Sequence, residues 1–564
     1  MMKIRRLVPA FLLLAAVPVI PYAIWGYSGH DYAIHLTMWM ELRNAWLHGE
    51  FVPGWCPLAN FTLGSPRFCF YPPLSFLLGT LLSFIVPFRM AAAFFVWIVI
   101  FASGLSMYKV SGYFLLPEDR LAASVLYMLS PYLLFTALVR YAAAELLTLA
   151  WTPFVLLCFY RGIWAKEKRA TVWLGCLFAM SWLANIPATI VLFYVLLVVA
   201  GIAAARQRAL SPILHYFMAQ FVGFMLAAFF LVPTYFEQKW ISSAAVARPD
   251  LRFFFLFEPL WHFNGGSRFL LGFWAIACVE IAIVGACAYR MRKALAADSP
   301  QRTWLELAVA AFAFQLPVSI PLWRHLPELI FAGFPFRFLS VMGAAFPLLL
   351  LARGTPRSLR VPAYCLLCVT ALFPVLVYAT EGVKHPNPRF SEAIARWQKG
   401  YVEMAEFMPA GTTRPEAPTV DLASIQVDES GADCKAYIDS ASRMPRAFSV
   451  DSTEPCRVRL ALYYYPYWRA LDEAGKRLPL GRTPEGLVTI TVPPGRHRIA
   501  MKFKASSPLR TATLLVSAAS ALLVVVFALQ EARRSVPNQV CDRSDLDCDD
   551  FSRGSASSPF RKTD

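Results

Sequence analysis

Apolar runs of about twenty residues recur along the chain, which is the length a helix needs to cross a bilayer core roughly 30 Å thick. They fall at about 7–26, 89–110, 120–138, 146–161, 171–186, 188–205, 211–236, 270–289, 304–320, 328–351, 361–379 and 511–530. The pattern predicts an α-helical polytopic membrane protein of about twelve spans. Between the runs lie the basic loops "AKEKRA", "ARQR", "YRMRK" and "LARGTPRSLR". Lys and Arg in short loops mark the cytoplasmic side. With "MMKIRR" also cytoplasmic, and the first run read as an uncleaved span, an even number of spans must precede Lys166.

That parity decides the reading of "YPPLSFLLGTLLSFIVPF" (71–88). A fifth crossing there would break it, and the segment is short and bounded by prolines. It is expected to be an interfacial or re-entrant helix, which makes 27–88 one large external loop. In its first half Ile34, Met38, Leu42 and Trp46 recur every fourth residue, the pattern of a helix lying on the membrane surface.

The pattern changes again at about 380–508, which is more polar and rich in turns. A helix is expected over "PRFSEAIARWQKGYVEMAEFM", then strands. "VTITV" (488–492) and "RIAMKF" (498–503) alternate with period two, "PPGRH" supplies the turn between them, and "RVRLALYYYPYW" is a further strand candidate. The expected organisation is 1–379 as the transmembrane domain with its first loop at 27–88. An extracytoplasmic helix and small β-rich domain follow at 380–508, then a final span at 509–531 and a disordered cytoplasmic tail at 532–564.

Composition agrees with the membrane reading. Of 564 residues 58% are hydrophobic and only 16% charged, against about a quarter charged in soluble chains. The net charge of +17 sits largely in cytoplasmic loops and is no nucleic-acid footprint. Among twelve cysteines, Cys434 with Cys456 and Cys56 with Cys69 lie in the two external regions. An oxidising compartment permits a disulfide in each. No P-loop, dinucleotide fingerprint, nucleophile elbow or zinc-type cysteine pair is present.

The candidate chemistry sits at the outer ends of the spans. Asp31 follows the first span and, on a helix, shares a face with His35. It could act as a general base, hold a divalent metal with His30 and His35, or simply cap the following helix. Arg140 and Glu145 in "RYAAAELL" and Arg337 in "FAGFPFRFLSVMG" are charges within apolar sequence, which tend to face internal cavities. An arginine fork suits a phosphate; snorkelling or a structural ion pair is the plain alternative. Arg67 is the one charge in "NFTLGSPRFCFYPPL". Glu258, His262 and Arg268 in the 237–269 loop are best read as loop residues.

The first span, then "GHDYAIHL", then "WCPLANFTLGSPRFCFYPPLSFLLG" resembles the GT-C superfamily of membrane glycosyltransferases. "RYAAAELL", "FPFRFL" and "YYYPYWRALDEAGKRLPL" through "RIAMKF" look like parts of one bacterial branch. Its members are often labelled 6-pyruvoyl-tetrahydropterin synthase-related membrane protein. The resemblance implies an inverting enzyme of the bacterial cytoplasmic membrane. It would move a sugar from a polyprenyl-phosphate carrier to an envelope glycan, lipid or protein on the outer face. Asp31 would be the catalytic base, and Pro72, Pro73 and Leu74 would open the second juxtamembrane helix. His30, His35, Arg67, Arg140, Glu145 and Arg337 are the expected substrate-binding residues, with a divalent metal as an optional cofactor. In the first loop "GHD…H" stands where metal-dependent members carry a paired-acid motif. A transporter or flippase of an envelope lipid or glycan, or a non-catalytic envelope-assembly protein, would share the spans and the external domain.

Overall fold

The computed structural model of the chain describes residues 4–25, 29–242, 255–256, 268–291, 299–352, 355, 357–361, 364–365, 369, 388–401, 403–412, 425–427, 434–438 and 447–534. Residues 1–520 form one compact unit; from 521 onward only the end of the last helix is described.

Helices α1 (Ile4–Ala16), α2 (Ile20–Trp25), α3 (Tyr32–Leu47), α4 (Pro73–Ile85) and α5 (Phe88–Ser111) open the chain. Next come α6 (Asp119–Met128), α7 (Pro131–Leu134), a π-helical turn Phe135–Arg140, α8 (Ala143–Leu149) and α9 (Thr152–Trp164). Then follow α10 (Lys168–Ala184), α11 (Ile186–Gln207), α12 (Ser211–Glu237), α13 (Arg268–Met291), α14 (Pro300–Ala313), α15 (Ile320–His325) and α16 (Leu339–Leu350). Beyond them are α17 (Pro388–Lys399) and, after the strands, α18 (Pro508–Arg534).

Every expected span falls on helix except 361–379, most of which lies outside the described residues. Many of these helices are interrupted, however. Among the described residues five are long and apolar enough to cross a membrane, and seven if two bent pairs each count once: α8 with α9 (45°) and α14 with Pro317–His325 (79°). Proline accounts for several breaks, since it lacks the N–H and clashes with the preceding turn. Pro18 separates α1 from α2, Pro317 lies at the second bend, and Pro335 lies in the 3-10 turns that replace the first half of the 328–351 run.

Two expectations about the loops change. Helix α4 has thirteen residues and is one of the shorter apolar helices. Helix α3 is not a one-sided surface helix: His35 to Leu42 are buried without a break, because the helix packs between α4 and α17. The helix expected over 388–408 stops at Lys399. Gly400, at φ 85°, takes the left-handed conformation that ends helices, and a Cβ there would come within 2.7 Å of Phe61 Cα.

The β-rich region is a two-sheet sandwich with strands β1 (Gln426–Val427), β2 (Cys434–Ile438), β3 (Ala447–Ser452), β4 (Cys456–Tyr463), β5 (Trp468–Leu471), β6 (Arg477–Leu478), β7 (Leu480–Arg482), β8 (Leu487–Val492) and β9 (Gly495–Phe503). The antiparallel orders are β1-β4-β8-β7 and β2-β3-β9-β5-β6. The turn after "VTITV" therefore passes the chain from one sheet to the other and does not close a hairpin. "RVRLALYYYPYW" likewise divides into β4 and β5, in different sheets. Phe448, Val450, Val458, Leu460, Val488, Ile490 and Ile499 fill the space between the sheets.

Cys434 and Cys456 are disulfide-bonded. Cys56 and Cys69 are buried free thiols. They sit in separate apolar clusters: Cys56 with Leu58, Ala59 and Tyr401, and Cys69 with Trp55, Phe70 and the sandwich core. The bonded pair closes a 22-residue separation, for which loss of the crosslink costs about 3 kcal/mol. Replacing both cysteines with alanine is expected to speed proteolytic cleavage of the sandwich and leave cleavage of the helical part unchanged, as read by limited proteolysis.

Candidate functional site

Two segments fix the centre of the site. The π-helical turn ends at Arg140, and Tyr141 follows in the left-handed region at φ 49°. Wide turns of this kind recur at functional sites; here the turn delivers Arg140 to the start of α3. The main chain before α3 docks on the turn: His30 N–H donates to Val139 O (3.2 Å) and Asp31 N–H to Arg140 O (2.7 Å). Gly29 makes this approach possible, because a Cβ there would lie 2.5 Å from Tyr141 N.

Asp31 occupies the N-cap position of α3, yet its side chain makes no capping bond. Its Oδ1 lies 2.7 Å from His30 Nδ1 and its Oδ2 3.9 Å from Arg140 Nη2, with a quarter of its side-chain surface open. The carboxylate thus faces a cavity and not its own helix. Burial alone would raise its pKa. The His30 hydrogen bond, with the charges of Arg140, His35 and His30, outweighs burial and holds it below the usual carboxylate range.

Arg140 and Arg337 converge on one buried acid. Arg140 Nη1 donates to Glu145 Oε2 (2.7 Å), Arg337 Nε donates to the same oxygen (3.0 Å), and Tyr132 OH donates to Oε1. The Arg337 guanidinium lies 5.0 Å from the Phe334 ring centre, and that of Arg140 5.3 Å from Phe336. Aromatic faces and a shared carboxylate hold both forks in place.

His30, Asp31, His35, Arg140, Glu145 and Arg337 all line a single cavity of about 1070 Å³. Its wall is mostly apolar, with Phe135, Trp182, Ile186, Phe224, Leu231 and Phe336 among the lining residues. A long apolar chain with a charged head fits this lining better than a small polar solute does.

The other expected site residues fall differently. His35 is buried against the rings of Tyr71 and Tyr141, and its Nδ1 has no hydrogen-bond partner. Burial, reinforced by Arg67 and Arg140 and opposed by Asp31, drops its pKa to about 4, so the ring is neutral at pH 7. Among the described residues no three His, Cys, Asp or Glu side chains gather closely enough to hold a metal ion. His30, Asp31 and His35 therefore do not form the metal site allowed by their spacing. Arg67 does not line the cavity. It is buried and forms a fork with Glu403, Nε to Oε2 at 2.8 Å and Nη2 to Oε1. Glu258 and His262 lie outside the described residues, as does the Arg268 side chain.

Several lining residues were not singled out in the sequence: Tyr71, Glu328, Met404 and Glu406. Tyr71, directly before the double proline, could have been noticed. Glu406 could not, because its segment reads as the end of a helix. Asn60 and Arg67 bring that segment over the cavity. Glu403 N–H donates to Asn60 Oδ1 (3.0 Å), and Asn60, Phe61 and Thr62 all have positive φ.

Beside Arg67, Glu41 accepts the Leu58 N–H at 3.0 Å. Burial, only partly offset by that bond and by the Arg67 charge, lifts its carboxyl from 4.5 to about 8. The folded protein therefore holds a proton that the unfolded chain releases, so stability falls as pH rises from 4.5 to 8. Glu41→Gln keeps the acceptor for Leu58 and is expected to flatten that fall, as measured by thermal unfolding across the same window.

Scans of the sequence against protein-family models and against curated proteins return no match.

Proposed function

We propose that the protein is a glycosyltransferase. It would take a sugar from a polyprenyl-phosphate carrier and pass it to an envelope glycan, lipid or protein on the outer face of the bacterial cytoplasmic membrane. The carrying observation is that one ionised aspartate and two arginines face the same apolar-walled cavity. The apolar wall takes the polyprenyl chain, and Arg140 and Arg337 take the phosphate. Glu145 keeps the two forks aimed and lowers the local positive charge, so the phosphate can still leave.

In the transfer step the acceptor O–H gives its proton to Asp31 as its oxygen bonds to the sugar's anomeric carbon. The bond from that carbon to the phosphate oxygen breaks, and the phosphate departs with the electron pair, with inversion. His35, neutral, forms part of the cavity wall beside Asp31. No step is routed through a metal, since among the described residues no three His, Cys, Asp or Glu side chains gather to hold one.

Mass spectrometry of lipid co-purifying with the protein tests the donor assignment. A polyprenyl-phosphate sugar is expected, depleted in an Arg140→Gln/Arg337→Gln variant. Recovery of bulk phospholipid alone would contradict the assignment.

A further inference from the structure

The sandwich carries a feature that the cavity does not use. In the five-stranded sheet Phe448 and Val450 of β3, Trp468 and Ala470 of β5, and Ile499 and Met501 of β9 point into the core. Side chains alternate along a strand and cross-strand partners share a face, so the register assigns the opposite face. Lys435, Asp451 and Arg496 lie in one row, and Tyr437, Ser449 and Arg498 in the next. Arg469 pairs with Lys502, and Arg477 with Leu471. Six cations thus share this face with one strand acid, Asp451. Glu473, from the turn after β5, adds a second acid and takes the main-chain N–H of Arg498. Lys435, Arg477, Arg496, Arg498 and Lys502 are exposed, and Tyr437 is 57% exposed. Among the described residues Lys435, Arg469, Arg477, Arg496 and Lys502 make no ion pair.

We propose that this face binds an extended anionic polysaccharide, one with carboxylates or phosphates along its length. Across strands Arg469 and Lys502 stand about 5 Å apart, and Lys435 and Arg496 about 10 Å apart with Asp451 between them; along β9 Arg496 and Arg498 stand about 7 Å apart, and Arg498 and Lys502 about 14 Å apart. An extended, flexible polyanion can reach these separate cations in turn, and the Tyr437 ring, 57% exposed, offers an apolar surface to a sugar face. Only residues 504–507 separate β9 from α18, so the Lys502 end is tied to the last span. Along β9 the row runs about 20 Å from Lys502 to Arg496. Binding does not depend on the transferase reading; where that reading holds, the polymer is its acceptor.

The test uses full-length protein in phosphatidylcholine nanodiscs with fluorescent polygalacturonate as the probe, read by anisotropy. Binding is expected, weakening steeply with salt, with none to neutral dextran. Lys435→Glu/Arg496→Glu/Lys502→Glu is expected to weaken it by about tenfold or more, and the matching glutamine variant by several-fold, with normal proteolytic resistance of the sandwich. Failure of the wild-type protein to bind polygalacturonate, or equal binding by the folded glutamate variant, would overturn the proposal. So would charge-dependent capture of phosphatidylglycerol vesicles without polygalacturonate binding, which would make the face a membrane dock. No readout involves sugar transfer, so a negative result leaves the cavity assignment standing.

Discussion

Asp31→Asn is expected to lower sugar transfer by about 10² to 10⁴-fold, the range attributed to a positioned general base, with normal protein levels and unchanged donor binding. The asparagine is close in size and keeps an oxygen toward His30, but it cannot take the acceptor's proton. Because the His30 bond and the neighbouring charges hold the Asp31 carboxyl below its ordinary value of 3.8, the group is ionised across the neutral range. The acid limb of wild-type activity that belongs to this group therefore lies below that value. His35, titrating at about 4, adds no step near its ordinary value of 6.5. Near wild-type transfer by Asp31→Asn, or activity governed by a group titrating near neutrality, would remove Asp31 from the role.

Arg67→Ala is expected to be the most destabilising single change in the first loop. Its guanidinium is buried and forked to the equally buried Glu403. Removing one partner of such a pair leaves a bare charge inside and costs about 3–5 kcal/mol. The change should also release the segment around Glu406 from the cavity, so thermal unfolding and donor binding should both weaken. Arg67→Met/Glu403→Met removes both charges and should recover most of the stability. Single and double variants of equal stability would show that the pair does not hold the loop.

Much of the helical architecture was legible because apolar runs report burial or lipid directly. What they do not report is continuity. Pro18 and Pro335 could be read as breaks, but whether tertiary packing tolerates a proline inside a helix is not a local property. Asp31, Arg140, Glu145 and Arg337 stood out as charges in apolar sequence, and that signal carried through to the cavity. Arg67 gave the same signal for another reason, because its partner Glu403 is 336 residues away and no local pattern links the two. His35 looked like a partner of Asp31 by helical spacing, yet its ring packs between Tyr71 and Tyr141, and only tertiary structure places those rings. The two cysteine pairs were equivalent by position. Their outcomes differ because β2 and β4 bring one pair together, while Cys56 and Cys69 belong to separate cores.

The central claim is that the cavity holding Asp31, Arg140 and Arg337 breaks and makes a glycosidic bond and does not merely pass a lipid across the membrane. The most direct measurement uses proteoliposomes loaded with the co-purifying lipid-linked sugar in radiolabelled form and supplied with envelope acceptor. Labelled sugar covalently joined to the acceptor should appear together with free polyprenyl phosphate, in equal amounts, and Asp31→Asn should abolish both. Movement of intact lipid-linked sugar between leaflets, with no new glycosidic product and no dependence on Asp31, would contradict the claim.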